Sequence, residues 1–204
     1  MTLFNGDGFN YHSTLVVSSP GNAIANIHKK VLNPAESPLN ISLVQSLAKG
    51  SKLDLVIQKA TELGVRRTVP VISERSVMRI DEKRIDRKLD HWRGIAVSAA
   101  TQCQRSVIPE IDPPLKLRDW FAGNAAQTTC LLLHPHADHR LKEIALEALE
   151  CTVIVGPEGG FTDDEVNYAI ECGVSTFQCG PRILRTETAG FTAIGILQSL
   201  YGDL

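Results

Sequence analysis

The densest set of reactive side chains lies between Arg182 and Thr188, where two arginines, a glutamate and two threonines fall within seven residues. A plain connection between an apolar strand and an apolar helix needs no such set. Arginine suits an anion or a centre that becomes negative, and Glu187 suits either a proton in transit or the positive N-terminus of a helix. A second stretch, Gly156-Pro157-Glu158-Gly159-Gly160, works through backbone: its glycines permit unusual angles and close approach to a ligand. Read singly, it is also what a tight strand-to-helix turn looks like. No Gly-Lys-Ser/Thr follows the glycines and no Gly-x-Gly-x-x-Gly occurs in the chain, which argues against nucleoside triphosphates and NAD. A third stretch, His134-Pro135-His136-Ala137-Asp138-His139, holds three histidines in six residues. Its spacing is not the i, i+4 pair of zinc hydrolases and Pro135 interrupts it, so no metal is expected there.

These stretches need strands and helices to hold them. Thr152-Val153-Ile154-Val155 reads as a buried strand leading into the glycine turn, and Thr162-Asp163-Asp164-Glu165 is a capping box that starts a helix after it. Ser175 to Cys179 reads as a strand leading into the arginine segment, and Glu187 to Tyr201 as the last helix. Thr129 to Leu133 is a strand that ends at the histidines, with Asp138 capping a helix from Arg140 to Leu149. Upstream, the patterns predict a strand over Ile41 to Leu47 and a helix from Ser51, its N-cap, to Leu63, ended by Gly64. A strand over Thr68 to Ile72 follows, then helices over Asp81 to Cys103 and Leu117 to Ala122. Strands alternating with helices over short connections imply an α/β fold, a parallel sheet with helices on both faces. The three reactive stretches then share the carboxyl edge of the sheet, where open α/β sheets bind ligands. The first 33 residues read differently, as β-strands around an Asn5-Gly6-Asp7-Gly8 hairpin turn, and Asn33 to Pro38 reads as a linker. The expected division is 1–38 and 39–204.

At 204 residues there is room for one domain and a small second one. No apolar run approaches the roughly 20 residues of a membrane span, and the start lacks the pattern of a signal peptide, so the cytoplasm is expected. Five scattered cysteines read as reduced and buried. The net charge of −2 hides an asymmetry: from Lys59 to Arg105 there are 11 Lys and Arg against 6 Asp and Glu, and elsewhere 10 against 17. Within that basic segment Arg66, Arg67, Arg75, Arg79 and Arg105 fall near strand ends, placed to meet an anionic polymer.

Gly156 to Gly160 together with Leu184-Arg185-Thr186-Glu187-Thr188-Ala189 resembles the signature pair of the small-subunit ribosomal RNA methyltransferases called RsmE, of the SPOUT superfamily. The likeness extends to Ile57 to Gly64 and Ser73-Glu74-Arg75, hence to most of the chain from about residue 40 onward. It implies methylation of N3 of uridine 1498 in 16S ribosomal RNA with S-adenosyl-L-methionine (SAM), a C-terminal trefoil knot, and a homodimer formed through the knot. The partner implied is 16S rRNA or the small ribosomal subunit. It also implies that the N-terminal strands belong to a partial PUA-like β domain whose first strands are missing from this chain. By the same resemblance Leu133, His134, Gly156, Glu158, Gly159, Gly180, Ile183 and Leu184 would contact the cofactor. Arg185 would stabilise charge on the uracil ring, Glu187 would orient Arg185 or act as base, and Arg75, Arg79, Arg105 and Arg182 would face RNA. After Gln102-Cys103 the chain departs from the family pattern, with Gln104, Ser106 and Val107 in place of a glycine, an asparagine and a second arginine. Two rival readings remain: a SPOUT methyltransferase acting on tRNA, and a non-catalytic RNA-binding module.

Overall fold

Alternate residues of each buried strand point to opposite faces, and here both faces are apolar. Leu43, Leu131 and Val153 meet one layer of helices, and Val44, Leu132 and Ile154 meet the other. The structure, a computed structural model, describes residues 1–48, 50–76, 85–125 and 127–204. The central strands are β4 (Asn40–Ser46), β5 (Arg67–Ile72), β6 (Glu110–Ile111), β7 (Leu115–Lys116), β8 (Thr129–Leu133), β9 (Glu150–Val155) and β10 (Ser175–Phe177). They form a parallel sheet in the order β10-β8-β9-β4-β5-β6, with β7 also paired to β5. The chain enters at β4 near the middle, builds outward through β5, and returns to the other side through β8. The direction of winding therefore reverses where β4 meets β9, the position at which such sheets open a crevice.

Helices α1 (Lys52–Glu62), α2 (Ile85–Gln102) and α5 (Thr186–Tyr201) cover one face, burying Leu53, Ile57, Trp92, Ala193, Ile194 and Leu197. Helices α3 (Leu117–Asn124) and α4 (Asp163–Glu171) cover the other with Trp120, Phe121, Val166 and Ala169. Ser51 does occupy the N-cap of α1, but its side chain makes no capping hydrogen bond. Gly64 ends that helix with φ +87°. The expected start of α2 at Asp81 lies outside the described residues.

A different outcome holds for Arg140 to Leu149, expected as a helix. It forms only one 3-10 turn, Leu141–Glu143, whose N-cap is Arg140 rather than Asp138. Tertiary hydrogen bonds win over local propensity here. The Leu141 amide donates to the Gln178 carbonyl, the Gln178 amide donates to the His139 carbonyl, and the Tyr201 hydroxyl donates to the Ile144 carbonyl. These contacts draw the chain along the end of β10 in extended form.

The N-terminal strands β1 (Thr2–Leu3), β2 (Phe9–Ser19) and β3 (Asn22–Leu32) form a separate antiparallel sheet. Its base is fixed to the loop after α2. The Gly8 amide donates to the Ser106 carbonyl, the Asn33 side chain donates to the Gln104 carbonyl and to Ser106 Oγ, and Ser106 Oγ donates to Asn10. Gln104 holds φ +64° in this loop, the one non-glycine residue with positive φ among those described.

Candidate active site

The carboxyl ends of β8 and β9 and the start of α5 enclose a cavity of about 620 Å³. Each wall has a local cause. Beyond β9 the chain turns back at Gly160, whose φ of +69° favours glycine, and the Gly160 amide donates to the Pro157 carbonyl. Gly156 lies against the Phe161 ring so closely that an added Cβ would come within 3.2 Å of it. The capping box then starts α4, with Thr162 and Glu165 exchanging hydrogen bonds. Glu165 also accepts from the Glu74 amide, and Arg75 Nη1 donates to the Gly159 carbonyl at 2.8 Å and the Phe161 carbonyl at 3.2 Å. The Ser73-Glu74-Arg75 segment thus braces the turn from β5.

The floor is a buried hydrogen-bond chain. Gln45 Nε2 donates to Thr186 Oγ1 at 2.9 Å, and Thr186 Oγ1 donates to the Gly156 carbonyl at 2.6 Å. This chain joins β4, the start of α5 and the glycine turn. Leu133 and Leu184 supply apolar wall, and Ile183 is 82% exposed at the rim. His134 stands edge-to-face with His136, and its pKa is lowered, first by burial and then by His136, against an opposing pull from Asp163. Arg185 is the N-cap residue of α5; it is exposed and lines the cavity.

Most of the expected cofactor residues therefore meet in one place: Leu133, His134, Gly156, Glu158, Gly159, Ile183 and Leu184 all line this cavity. Gly180 does not. It lines a neighbouring groove with Leu141, Ile196 and Leu200, because the chain crosses from the end of β10 before reaching the cavity. Glu187 sits behind the wall, with a side chain 15% exposed and Oε2 buried without a hydrogen-bond partner among the described residues. Among the described residues the cation within 4 Å of it is Lys52, whose Nζ is 3.9 Å from Glu187 Oε2 and donates to Glu158 Oε1 at 2.8 Å.

The expected RNA-facing arginines divide. Arg182 is exposed, and Arg75 is exposed though bonded to the turn. Arg79 lies outside the described residues. Arg105 is corrected outright: it is 2% exposed, its guanidinium paired with Glu36 at 2.9 Å and donating to the Thr61 and Val65 carbonyls. A guanidinium with its donors spent on the interior cannot reach phosphate. Arg67 is likewise engaged, forked onto Asp112.

Sequence reasoning missed Lys52 and Gln45. Lys52 begins the helix after β4, so its place beside a strand end was a usable signal; Gln45 was concealed within an apolar strand. Burial pushes the thiols of Cys151 up to about 12 and Cys179 to about 11, so neither is a nucleophile near neutral pH. Among the described residues no group of three or more His, Cys, Asp or Glu stands where it could hold a metal ion. No helix among them is long and apolar enough to cross a membrane.

The RNA methyltransferase domain profile matches residues 35–198. Over its whole length the chain is 33% identical to ribosomal RNA small subunit methyltransferase E of Buchnera aphidicola, covering 80% of that protein. The chain belongs to this methyltransferase family. A family member from Neisseria gonorrhoeae, solved bound to S-adenosyl methionine, superposes with a TM-score of 0.94 at 36% identity, covering all of this chain and 84% of that one. A Legionella pneumophila methyltransferase in complex with SAM gives 0.93 at 35% identity with the same coverage.

Proposed function

We propose that this chain uses SAM to methylate N3 of uridine 1498 in the 16S RNA of the small ribosomal subunit. The observation that carries the reading is the cavity whose lining brings together the glycine turn, the apolar Leu133 and Leu184, and Arg185. The residues fit the cofactor. Backbone groups of the turn can hydrogen-bond an adenine edge, Leu133 and Leu184 offer an apolar surface, and Glu158 and Asp163 complement a cation. When bound, SAM supplies a methyl group on a positively charged sulfur, which keeps the C–S bonding pair as the methyl leaves.

The chain's own task is to make uracil N3 a nucleophile and hold both reactants. Glu187, behind the cavity wall, takes the N3 proton through one intervening water onto a carboxylate oxygen, and the lone pair left on N3 forms the new N–C bond. Arg185 stabilises the negative charge that spreads to O2 and O4 as the proton departs. Arg75 and Arg182 meet RNA phosphates. We assign residues 1–38 to a partial PUA-like domain and 39–204 to the methyltransferase domain. A trefoil knot at α5 is supported by the strand order, in which the chain leaves β9, passes β8 to reach β10, and then returns to β4 and α1. A homodimer through the same region is supported by the apolar groove of Leu141, Pro181, Ile196 and Leu200, the last 48% exposed. A cytoplasmic location goes with a ribosomal substrate.

The test is mass mapping of 16S RNA modifications in cells with and without the gene, joined to calorimetry of the purified chain with SAM. Methylation of uridine 1498 that depends on the gene is expected. Transfer confined to tRNA, or no heat with SAM, would overturn the reading.

A further inference from the structure

Lys52 has no part in the reading above, yet it joins three elements at the cavity. It opens α1 and lines the cavity; its ammonium donates to Glu158 in the glycine turn and stands 3.9 Å from Glu187 in the first turn of α5. Glu187 Oε2 is buried and lacks a hydrogen bond among the described residues. Among the described residues, a carboxylate so placed has two sources of order, the α5 N-terminus and the Lys52 ammonium. The first acts on any residue there, but only the second links Glu187 to the wall that holds the methyl donor.

We infer that Lys52 is a positioning residue that sets the Glu187 carboxylate relative to the Glu158 turn, so that the base and the cofactor site keep one geometry. This rests on the proposed role of Glu187 as base. Lys52 itself exchanges no proton and forms no bond in the reaction. Its ammonium is shared unequally, in contact with Glu158 and at long range from Glu187, which suits a tether more than a tight ion pair. Loss of the tether lets Glu187 drift, and misplacement of a reacting group by about 1 Å costs roughly a hundredfold in rate. Arginine presents a planar fork with several donors and can span both carboxylates, whereas methionine fills the space without a charge.

The experiment measures single-turnover methylation of 16S RNA, at saturating SAM and RNA, for Lys52→Met, Lys52→Arg, Glu187→Gln and the double variant Lys52→Met/Glu187→Gln. Calorimetry with SAM and an unfolding series on the same proteins supply readouts independent of turnover. Lys52→Met is expected to lower the saturated rate by about a hundredfold, with SAM affinity within about threefold of the parent. Lys52→Arg is expected to recover most of that rate. In the Glu187→Gln background Lys52→Met should cost nothing more, because a residue acting through Glu187 has nothing left to position. The unfolding cycle should show the same pair coupled in the free protein. If the two substitutions instead lower the rate independently, or if Lys52→Met loses SAM affinity by as much as it loses rate, the inference is overturned while the function stands. A Glu187→Gln variant that keeps its saturated rate would remove the base itself, and this inference with it.

Discussion

Replacing Thr186 by valine removes one oxygen from a buried site without changing the side chain's outline. Thr186 is 5% exposed, and its hydroxyl both donates to the Gly156 carbonyl and accepts from Gln45 Nε2. Valine leaves the carbonyl without this donor and Gln45 without this acceptor. Gln45 Nε2 still reaches the Ser46 carbonyl, so its loss is partial, while Gln45 Oε1 already has no partner among the described residues. At about 1–3 kcal/mol for each buried group left unmatched, one full loss and one partial loss come to roughly 2–4 kcal/mol. Thr186→Ser keeps the hydroxyl and deletes a methyl group, which costs only about 1 kcal/mol. Urea unfolding of the free protein separates the two, and calorimetry reads the effect on the turn. Freed from α5, the turn samples other conformations, and SAM affinity should fall by about tenfold for each 1.4 kcal/mol of lost order. Equal stability of the valine and serine variants, with unchanged SAM affinity, would refute the role given to this chain of hydrogen bonds.

Other outcomes follow from the same geometry. Arg105→Met strands Glu36 and two carbonyls, so urea unfolding should show a loss of about 3–5 kcal/mol, and filter binding below the transition should show RNA affinity little changed. Gln104→Gly relieves a left-handed backbone angle that costs about 1–2 kcal/mol in an L-residue, offset by the extra freedom of glycine in the unfolded chain; a net gain of about 0.5–1 kcal/mol should appear by chemical denaturation. His134 is held neutral by burial and His136, so the unfolded chain binds more protons than the folded one below the ordinary histidine value of about 6.5. Its contribution is therefore complete above that pH and lost as pH falls, and thermal melts of His134→Asn should show a shallower decline from pH 6.5 to 5 than the parent. Arg185→Ala should lower single-turnover methylation by roughly two to three orders of magnitude with SAM and RNA affinity nearly kept, while Arg182→Ala keeps most of the saturated rate; the reverse order would mean that the wrong arginine carries the charge.

Local rules read much of this fold correctly because they acted without competition. The Thr162 capping box, the Gly64 stop and the buried run Thr152 to Val155 each depend on residues a few positions apart. Arg140 to Leu149 shows the opposite case, a good helical sequence whose backbone bonds are taken by β10 and α5. Arg105 misled for a related reason: a lone arginine beside a basic helix reads as a surface charge, and its true partner, Glu36, lies 69 residues away in the linker. Lys52 could be placed beside a strand end from sequence, but its partners could not: Glu158 and Glu187 come to it only through the packing of the glycine turn and α5.

Among the described residues, the ribbon of β2 and β3 is fastened to the rest of the chain near one end. At Gly8, Asn10 and Asn33 it is bonded to the loop after α2, whereas Leu15, Val16, Val17 and Ile24 toward its tip are about half exposed. Eleven residues at about 3.4 Å each carry the tip roughly 35 Å from that joint. A ligand long enough to engage both the cavity and the tip is held at two places at once. Once one end is bound, the other is met at a high local concentration set by this fixed reach. Were the tip to meet the same RNA as the cavity, a short oligonucleotide carrying only the target base would forfeit that gain.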